Sequence, residues 1–184
     1  AAITVTGSYT DALGAAESVT SSATTSIVNV NDAPTGSVTI SGTATQGETL
    51  TASNTLADAD GIGTISYQWL ANGTAISGAT SSIHTLTQSE VGAVITVTGS
   101  YTDALGAVES LTSSATTSIV NVNDAPTGSV TISGTATQGE TLTASNTLAD
   151  ADGIGTISHQ WLANGTAISG ATSSTYTLTQ GEVG

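Results

Sequence analysis

The side chains of this sequence that are suited to chemistry are acidic, and they occupy turn-like stretches. Asp58-Ala59-Asp60-Gly61 places two carboxylates two residues apart, Asp103 stands in a second turn, and Asn31-Asp32 lies just before a proline. Hard oxygen ligands without sulfur suit Ca²⁺ best. The chain has 14 acidic residues and no lysine or arginine, so its formal net charge is −14. A cluster of these carboxylates therefore repels itself unless solvent supplies a cation.

The same composition excludes several classes of function. Nucleic acids and anionic membranes attract basic side chains, so neither is an expected partner. No apolar run is long enough to cross a bilayer, and we expect no direct membrane insertion and a secretion signal, if any, outside this segment. There is no cysteine for disulfides or thiolate chemistry. We also expect no enzyme, because no histidine–acid pair lies by spacing near a serine or threonine.

The chain is a repeat. Asn31-Asp32-Ala33-Pro34 returns as Asn123-Asp124-Ala125-Pro126, and 123 − 31 gives an offset of 92 residues. A proline forces the preceding residue out of the helical region, so this motif marks a boundary. We predict an incomplete repeat with its linker at 1–32, a complete repeat at 33–124 and a further incomplete repeat at 125–184.

Short alternating β-branched runs separated by turn residues fill the complete repeat, with no helical period. We expect six or seven strands, one of them carrying Trp69, and hence an all-β sandwich. Asn72-Gly73 is a strong hairpin signal. The predicted core consists of Val38, Ile40, Leu50, Ile65, Tyr67, Trp69, His84, Leu86, Ile95, Val97 and Tyr101.

The two ends carry different parts of the repeat. Residues 1–32 contain its last two strands, predicted near Ile3–Thr6 and Ser22–Val30, and residues 125–184 contain its first five. A lone hairpin is not a stable domain. Two explanations stay open: the chain is an excerpt of a longer array, or chains join end to end and supply strands to each other.

Specific stretches resemble a known family. Strands C to F of an immunoglobulin-like domain are similar to Tyr67-Gln68-Trp69-Leu70-Ala71-Asn72-Gly73, Tyr176-Thr177-Leu178-Thr179 and Glu90-Val91-Gly92. The unit from Asn31-Asp32-Ala33-Pro34 through Asp58-Ala59-Asp60-Gly61 is similar to the tandem Ig-like repeats of giant bacterial surface proteins, notably the extender region of RTX-type adhesins. The chain departs from these families in lacking the cysteines of strands B and F and glycine-rich calcium nonapeptides.

The resemblance implies a fold of tandem immunoglobulin-like β-sandwich repeats of 92 residues, exported to the cell surface and folded in calcium. In that topology the loops B–C and F–G share the end at which strand A begins, so the acids of loop and linker should converge there. The alternative is that they are ordinary polar turns. Mg²⁺ fits less well because it keeps its waters. The predicted Ca²⁺ ligands are Asn31, Asp32, Asp58, Asp60, Asp103, Asn123, Asp124, Asp150 and Asp152.

The expected function is a spacer in a bacterial cell-surface adhesin, in which calcium stiffens the array and projects a distal domain for adhesion or biofilm formation. Its partners would be neighbouring identical repeats. A self-assembling extracellular filament is the alternative, and a ligand-binding module is a third. The histidines are expected in the core: Tyr67 and His84 of one repeat are exchanged to His159 and Tyr176 in the other, which predicts that each pair shares one ring-sized space.

Overall fold

The computed structural model describes all 184 residues, and its regular structure is almost entirely extended. Two single 3₁₀ turns, Gln88–Glu90 and Gln180–Glu182, are its only helical elements. The strands are β1 (Thr6–Thr10), β2 (Ala16–Thr20), β3 (Val38–Ser41), β4 (Thr49–Asn54), β5 (Ser66–Ala71), β6 (Thr74–Ala75), β7 (Ile83–Thr85), β8 (Ile95–Thr102), β9 (Val108–Thr112), β10 (Val130–Ser133), β11 (Thr141–Asn146), β12 (Leu162–Ala163), β13 (Thr166–Ala167) and β14 (Thr175–Thr177).

The strands form five antiparallel sheets. The middle of the chain contains a sheet of order β3-β4-β7 and a sheet of order β6-β5-β8-β9. Strand β3 also contacts β8 of the second sheet, and a Cβ on Gly99 would lie 3.1 Å from Cγ2 of Val38. The chain is therefore all-β, in an arrangement consistent with a β-sandwich.

The chain divides into two compact units. The first comprises residues 1–41, 51–84 and 95–115, and the second comprises residues 42–50, 85–94 and 116–184. In the first unit, Trp69 is fully buried and its indole Nε1 donates to Ser81 O at 2.8 Å. In the second, Gly92 N donates to Ile119 O at 3.0 Å, and Ile119 N donates to Ala93 O at 2.8 Å.

Most of the predicted core is buried. Val38, Leu50, Trp69, Leu86, Ile95, Val97 and Tyr101 are all buried, as alternation predicts for residues on the inner face of a strand. The other four predicted members are half-buried: Ile40, Ile65, Tyr67 and His84. Four residues that the sequence did not predict are buried as well: Ala52, Leu56, Ala93 and Ile119.

The Asn72-Gly73 dipeptide forms the hairpin turn that the sequence predicts. Asn72 has φ 48° and Gly73 has φ 80°, so both residues occupy the left-handed region that a tight two-residue turn requires. Leu70 and Ala75 then pair across β5 and β6. Asparagine tolerates this conformation better than other residues with a Cβ, which explains why this dipeptide closes the turn.

The strands of the first hairpin lie closer to their turn than predicted, β1 later than residues 3–6 and β2 earlier than residues 22–30. Strands β1 and β2 pair around the turn at Asp11–Gly14, whereas residues 22–30 contain no strand. That segment is held by isolated bonds, such as Thr24 N to Ile3 O at 3.0 Å and Ile27 N to Ala1 O at 2.7 Å. Because the β-branched run at 22–30 has no regular ladder partner, propensity alone does not make it a strand.

Residues 125–184 reproduce the register of the complete repeat with one exception. Val130 pairs with Asn146 as Val38 pairs with Asn54, 92 residues earlier. The exception is β12, which has two residues where the corresponding β5 has six. Strand β5 is paired along its whole length with β8, and β12 pairs only with β13.

Candidate linker and cation site

The linker that precedes the complete repeat is bonded to one buried carboxylate. Asp60 is 8% exposed, and its Oδ2 accepts a hydrogen bond from Asp32 N at 2.6 Å. The Nδ2 of Asn29 donates to its Oδ1. Backbone and amide donors to a carboxylate are charge-assisted bonds and are stronger than neutral ones. Asp60 thus holds the linker from two sides.

The neighbouring Asp58 shapes this loop and meets the sheet. Its Oδ1 accepts from Asp60 N at 2.8 Å, which is the local turn expected of an aspartate two residues before its donor. Its Oδ2 accepts from the hydroxyl of Tyr101 at 2.7 Å. Burial, the bond to Asp58 and the negative charges of Asp58, Glu109 and Asp103 raise the pKa of Tyr101 to about 12.

Asp103 has a carboxylate oxygen that accepts no hydrogen bond. It is 7% exposed, and its Oδ1 accepts from Ala107 N at 2.8 Å. Its Oδ2 is buried without a hydrogen-bond partner. The adjacent Ala104 N donates to Asp60 O at 3.2 Å, so the Asp103 turn and the Asp60 loop are joined. A buried carboxylate oxygen without a donor is costly unless a cation or water satisfies it.

Asn31 lies apart from these carboxylates. Its Nδ2 donates to Glu109 Oε1 at 2.8 Å and to Asp32 O at 3.2 Å. Of the residues expected at this pole, the structure therefore connects Asp32, Asp58, Asp60 and Asp103 through hydrogen bonds, whereas Asn31 contacts β9 through Glu109.

The second linker repeats the arrangement. Asp152 accepts from Asn121 Nδ2 at 2.6 Å and from Asp124 N at 2.7 Å. These bonds, the one from Asn121 first, lower the pKa of Asp152, against a smaller opposing effect of burial. Asp150 Oδ1 accepts from Asp152 N at 2.9 Å, and Asn123 Nδ2 donates to Asp124 O at 2.9 Å.

One glutamine makes further contacts at the second linker. Gln46 Nε2 donates to Asp124 Oδ2 at 2.8 Å, and its Oε1 accepts from Val122 N at 3.0 Å. Its backbone N donates to Val120 O at 2.9 Å. Gln46 thus contacts three alternate residues, Val120 just before the second linker and Val122 and Asp124 within it.

The side chains around Asp103 meet only some of the requirements of a cation site. No group of three or more histidine, cysteine, aspartate or glutamate side chains is placed to hold a metal ion. Both oxygens of Asp60, and both of Asp58, already accept hydrogen bonds. The buried Oδ2 of Asp103 is the feature that favours a cation, and a carboxylate oxygen with one donor keeps a second lone pair.

Sequence reasoning missed the amides that hold the linkers. Asn29 and Asn121 donate to Asp60 and Asp152, and Gln46 holds the second linker, yet none was a candidate. The spacing Asn29-Val30-Asn31 did carry a signal: in an extended chain the alternate asparagines share a face. Gln46 carried none, because its contact depends on where two distant segments lie.

No protein-family model, no curated protein and no solved structure matches this chain. None of its helices has the length and apolar character needed to span a membrane.

Proposed function

We propose that this chain is a structural spacer, a segment of the extender region of an RTX-type bacterial cell-surface adhesin. The repeats, with boundaries at 1–32, 33–124 and 125–184, are tandem immunoglobulin-like β-sandwiches of 92 residues. Their role is to hold a distal binding domain away from the cell for adhesion or biofilm formation. The role is mechanical and extracellular rather than enzymatic, and the array works through contacts between neighbouring repeats.

The observation that carries the proposal is the recurrence of the linker contacts. Asp60 and Asp152 each accept from an asparagine side chain and from the backbone N–H of the linker aspartate. A flexible connector between independent domains has no need of bonds that recur at both linkers. Two identical sets of bonds support a linker that is held in one conformation.

Calcium is the second part of the proposal. Asp103, Asp58 and Asp60 place three carboxylates on connected turns in a protein with no lysine or arginine. The residues that would hold the ion are Asp103, through its buried Oδ2, together with the acids and amides of the loop and linker. The ion would offset the repulsion between the carboxylates and stiffen the linker.

A thermal melt in EDTA, in millimolar CaCl₂ and in millimolar MgCl₂ tests the calcium site. We expect a rise in midpoint with calcium alone, since a ligand bound only by the folded state stabilises it. In Asp103→Asn the calcium shift should vanish, while the midpoint in EDTA stays equal or rises because a buried charge is gone. Asp11→Asn is the matched control, since Asp11 is the same residue of the repeat in the first hairpin.

Backbone amide relaxation tests the spacer role directly. Order parameters of the second linker, residues 121–126, should equal those of the strands and should fall in Asp152→Ala. Equal midpoints in all three solutions would remove calcium from the proposal. Low order parameters in the native linker, with or without calcium, would remove the spacer role itself.

A further inference from the structure

The asparagine–glycine turns carry a motif that the hairpin itself does not require. Asn72-Gly73-Thr74 and Asn164-Gly165-Thr166 each have a threonine two positions after the asparagine. This spacing, with any residue but proline between, is the acceptor motif for a sugar attached to the asparagine side chain, and it functions on an exposed surface. The chain has eight asparagines, and at the other six the second following residue is neither serine nor threonine. The motif is thus confined to one turn, which recurs after 92 residues.

The first of these turns is an exposed tip in the complete repeat. Asn72, Gly73 and Thr74 are all exposed, and a Cβ built on Gly73 would meet nothing within 4 Å. The turn joins β5 to β6, and β6 is the outermost strand of the sheet of order β6-β5-β8-β9. All four strands of this sheet lie within residues 33–124, so the exposure is a property of the complete repeat. An enzyme can therefore reach the asparagine side chain while the hairpin stays folded.

The second turn has the same backbone geometry. Asn164 has φ 47° and Gly165 has φ 81°, against 48° and 80° in the first turn. Leu162 pairs with Ala167 across the second turn, as the equivalent residues of β5 and β6 do. The conformation follows from the dipeptide itself, because both of its residues tolerate positive φ. Each copy of the motif is therefore presented on the same kind of turn.

The charge of the chain favours the same segment. The donor for such a modification is a sugar activated as a diphosphate ester, which is anionic, and like charges repel at short range. The chain has 14 acidic residues, yet none lies between Asp60 and Glu90, and none between Asp152 and Glu182. Strand β8, which pairs with β5 up to the turn, contains no acidic residue either. The donor thus meets no carboxylate on the hairpin or on the strand beside it.

We infer that Asn72 and its equivalent Asn164 are acceptors of an N-linked sugar. The Nδ2 of the asparagine forms a bond to the anomeric carbon of the sugar, and the bond between that carbon and the diphosphate oxygen breaks. The diphosphate leaves with the electron pair, and the amide gives up one proton. The transfer needs no oxidant or reductant, and its co-reactants are a glycosyl diphosphate and a glycosyltransferase that recognises the threonine hydroxyl together with the amide.

The sugar would lie beside an open sheet edge. Strand β6 has two residues, Thr74 and Ala75, and both are exposed. Exposed edges can pair with other chains, and many proteins protect them with lysine, which this chain lacks. A bulky, hydrated sugar at the turn would protect the edge without adding charge. The inference needs no cation and does not rest on the spacer role.

Intact-mass spectrometry tests the acceptor after the folded chain is incubated with UDP-glucose and a purified soluble transferase that adds glucose to asparagine. The native chain should gain two hexoses, Thr74→Val and Thr166→Val one each, and the double variant none. Valine keeps the β-branched shape of threonine and lacks the hydroxyl, so the hairpin should stay folded. Thr74→Ser restores the hydroxyl and should gain two. Thr80→Val, at an exposed threonine outside the motif, is the matched control and should also gain two.

Chain recovered from the cells that make it tests whether the site is used. Cleavage after glutamate releases residues 49–90, which contain Asn54 and Asn72. The sugar should be on Asn72 and absent from Asn54, which lacks the motif. A single hexose there would indicate a nucleotide-linked donor, and a preassembled oligosaccharide a lipid-linked one. A folded chain that gains no hexose, a gain of two that persists in Thr74→Val, or an unmodified Asn72 in the recovered chain would overturn the inference.

Discussion

The side chain of Gln46 bridges the second linker, donating to Asp124 Oδ2 at 2.8 Å and accepting from Val122 N at 3.0 Å. A glutamine in a turn between β3 and β4 thereby fixes a segment more than 70 residues further along the chain. Both of its polar ends are used, so an amide suits this position and a carboxylate does not, because the substitution Gln46→Glu would set a like charge against Asp124.

Gln46→Ala should therefore loosen the linker with a small cost in stability. Removal of two partly exposed hydrogen bonds is expected to lower the free energy of unfolding by about 1 kcal/mol. Amide order parameters at Val122, Asn123 and Asp124 should fall. Gln138→Ala is the control, because Gln138 is the equivalent residue and is exposed. Equal linker order in the two variants would contradict the role of Gln46.

Gly99→Ala should destabilise the chain, whereas Gly7→Ala should not. A Cβ at Gly99 would lie 3.1 Å from Val38 Cγ2 and 3.5 Å from Leu56 Cδ1, in a packed interior. Overpacking of this kind costs about 1–3 kcal/mol. Gly7 is the same residue of the repeat with open space around its Cβ position. Urea unfolding at low protein concentration measures both, and equal midpoints for the two variants would refute the packing assignment.

Tyr101 should make the chain sensitive to alkali. Its pKa is raised to about 12 in the folded state from an ordinary value of 10.0, chiefly by burial and then by the bond to Asp58. The folded state therefore favours the neutral phenol. This stabilisation is fully present below pH 10 and is lost as the pH rises toward 12.

The measurement is the melting midpoint of the chain as the pH is raised from 8 toward 12. Tyr101→Phe should lower the midpoint at neutral pH through loss of the bond to Asp58 and should flatten the decline above pH 10. Tyr9→Phe, at a residue that is 63% exposed, should keep the native profile. If the melting midpoint of Tyr101→Phe falls above pH 10 as steeply as that of the native chain, groups other than Tyr101 cause the fall.

The Tyr–His exchange should act at two separate places. His84 packs on Trp69 with ring centroids 5.7 Å apart, and Tyr176 packs on Trp161 at the same distance. Tyr67 OH instead accepts from Asn54 Nδ2 at 2.6 Å. The structure thus shows a separate partner for each of these two rings, and the shared space of the pair stays a prediction.

The effects of Tyr67→His and His84→Tyr should accordingly add, with a coupling energy below about 0.5 kcal/mol in a double-mutant cycle. His84→Tyr should cost little, because the other repeat accommodates tyrosine on its tryptophan in the same geometry. Tyr67→His should cost more, through the loss of the bond to Asn54. A coupling above about 1 kcal/mol would restore the shared-space interpretation.

The all-β class, the tight turn at Asn72-Gly73 and most of the core follow from local patterns in the amino-acid sequence. Alternation sorts Val38 and Val97 to the inside because the side chains of a strand alternate between faces, and Asn72-Gly73 closes its hairpin because both residues tolerate positive φ. These features depend on neighbours along the chain. The immunoglobulin-like identity, the function and the calcium site remain predictions.

The hydrogen bonds between distant segments follow only from the tertiary structure. Asn29, Asn121 and Gln46 gain their roles from residues 31 or more positions away along the chain, and no local pattern encodes such a distance. The packing of β8 is another case, because the Cβ position of Gly99 lies 3.1 Å from Cγ2 of Val38, which is 61 residues earlier in the chain. The burial of a strand depends on the surface that packs against it, and that surface comes from a distant part of the chain.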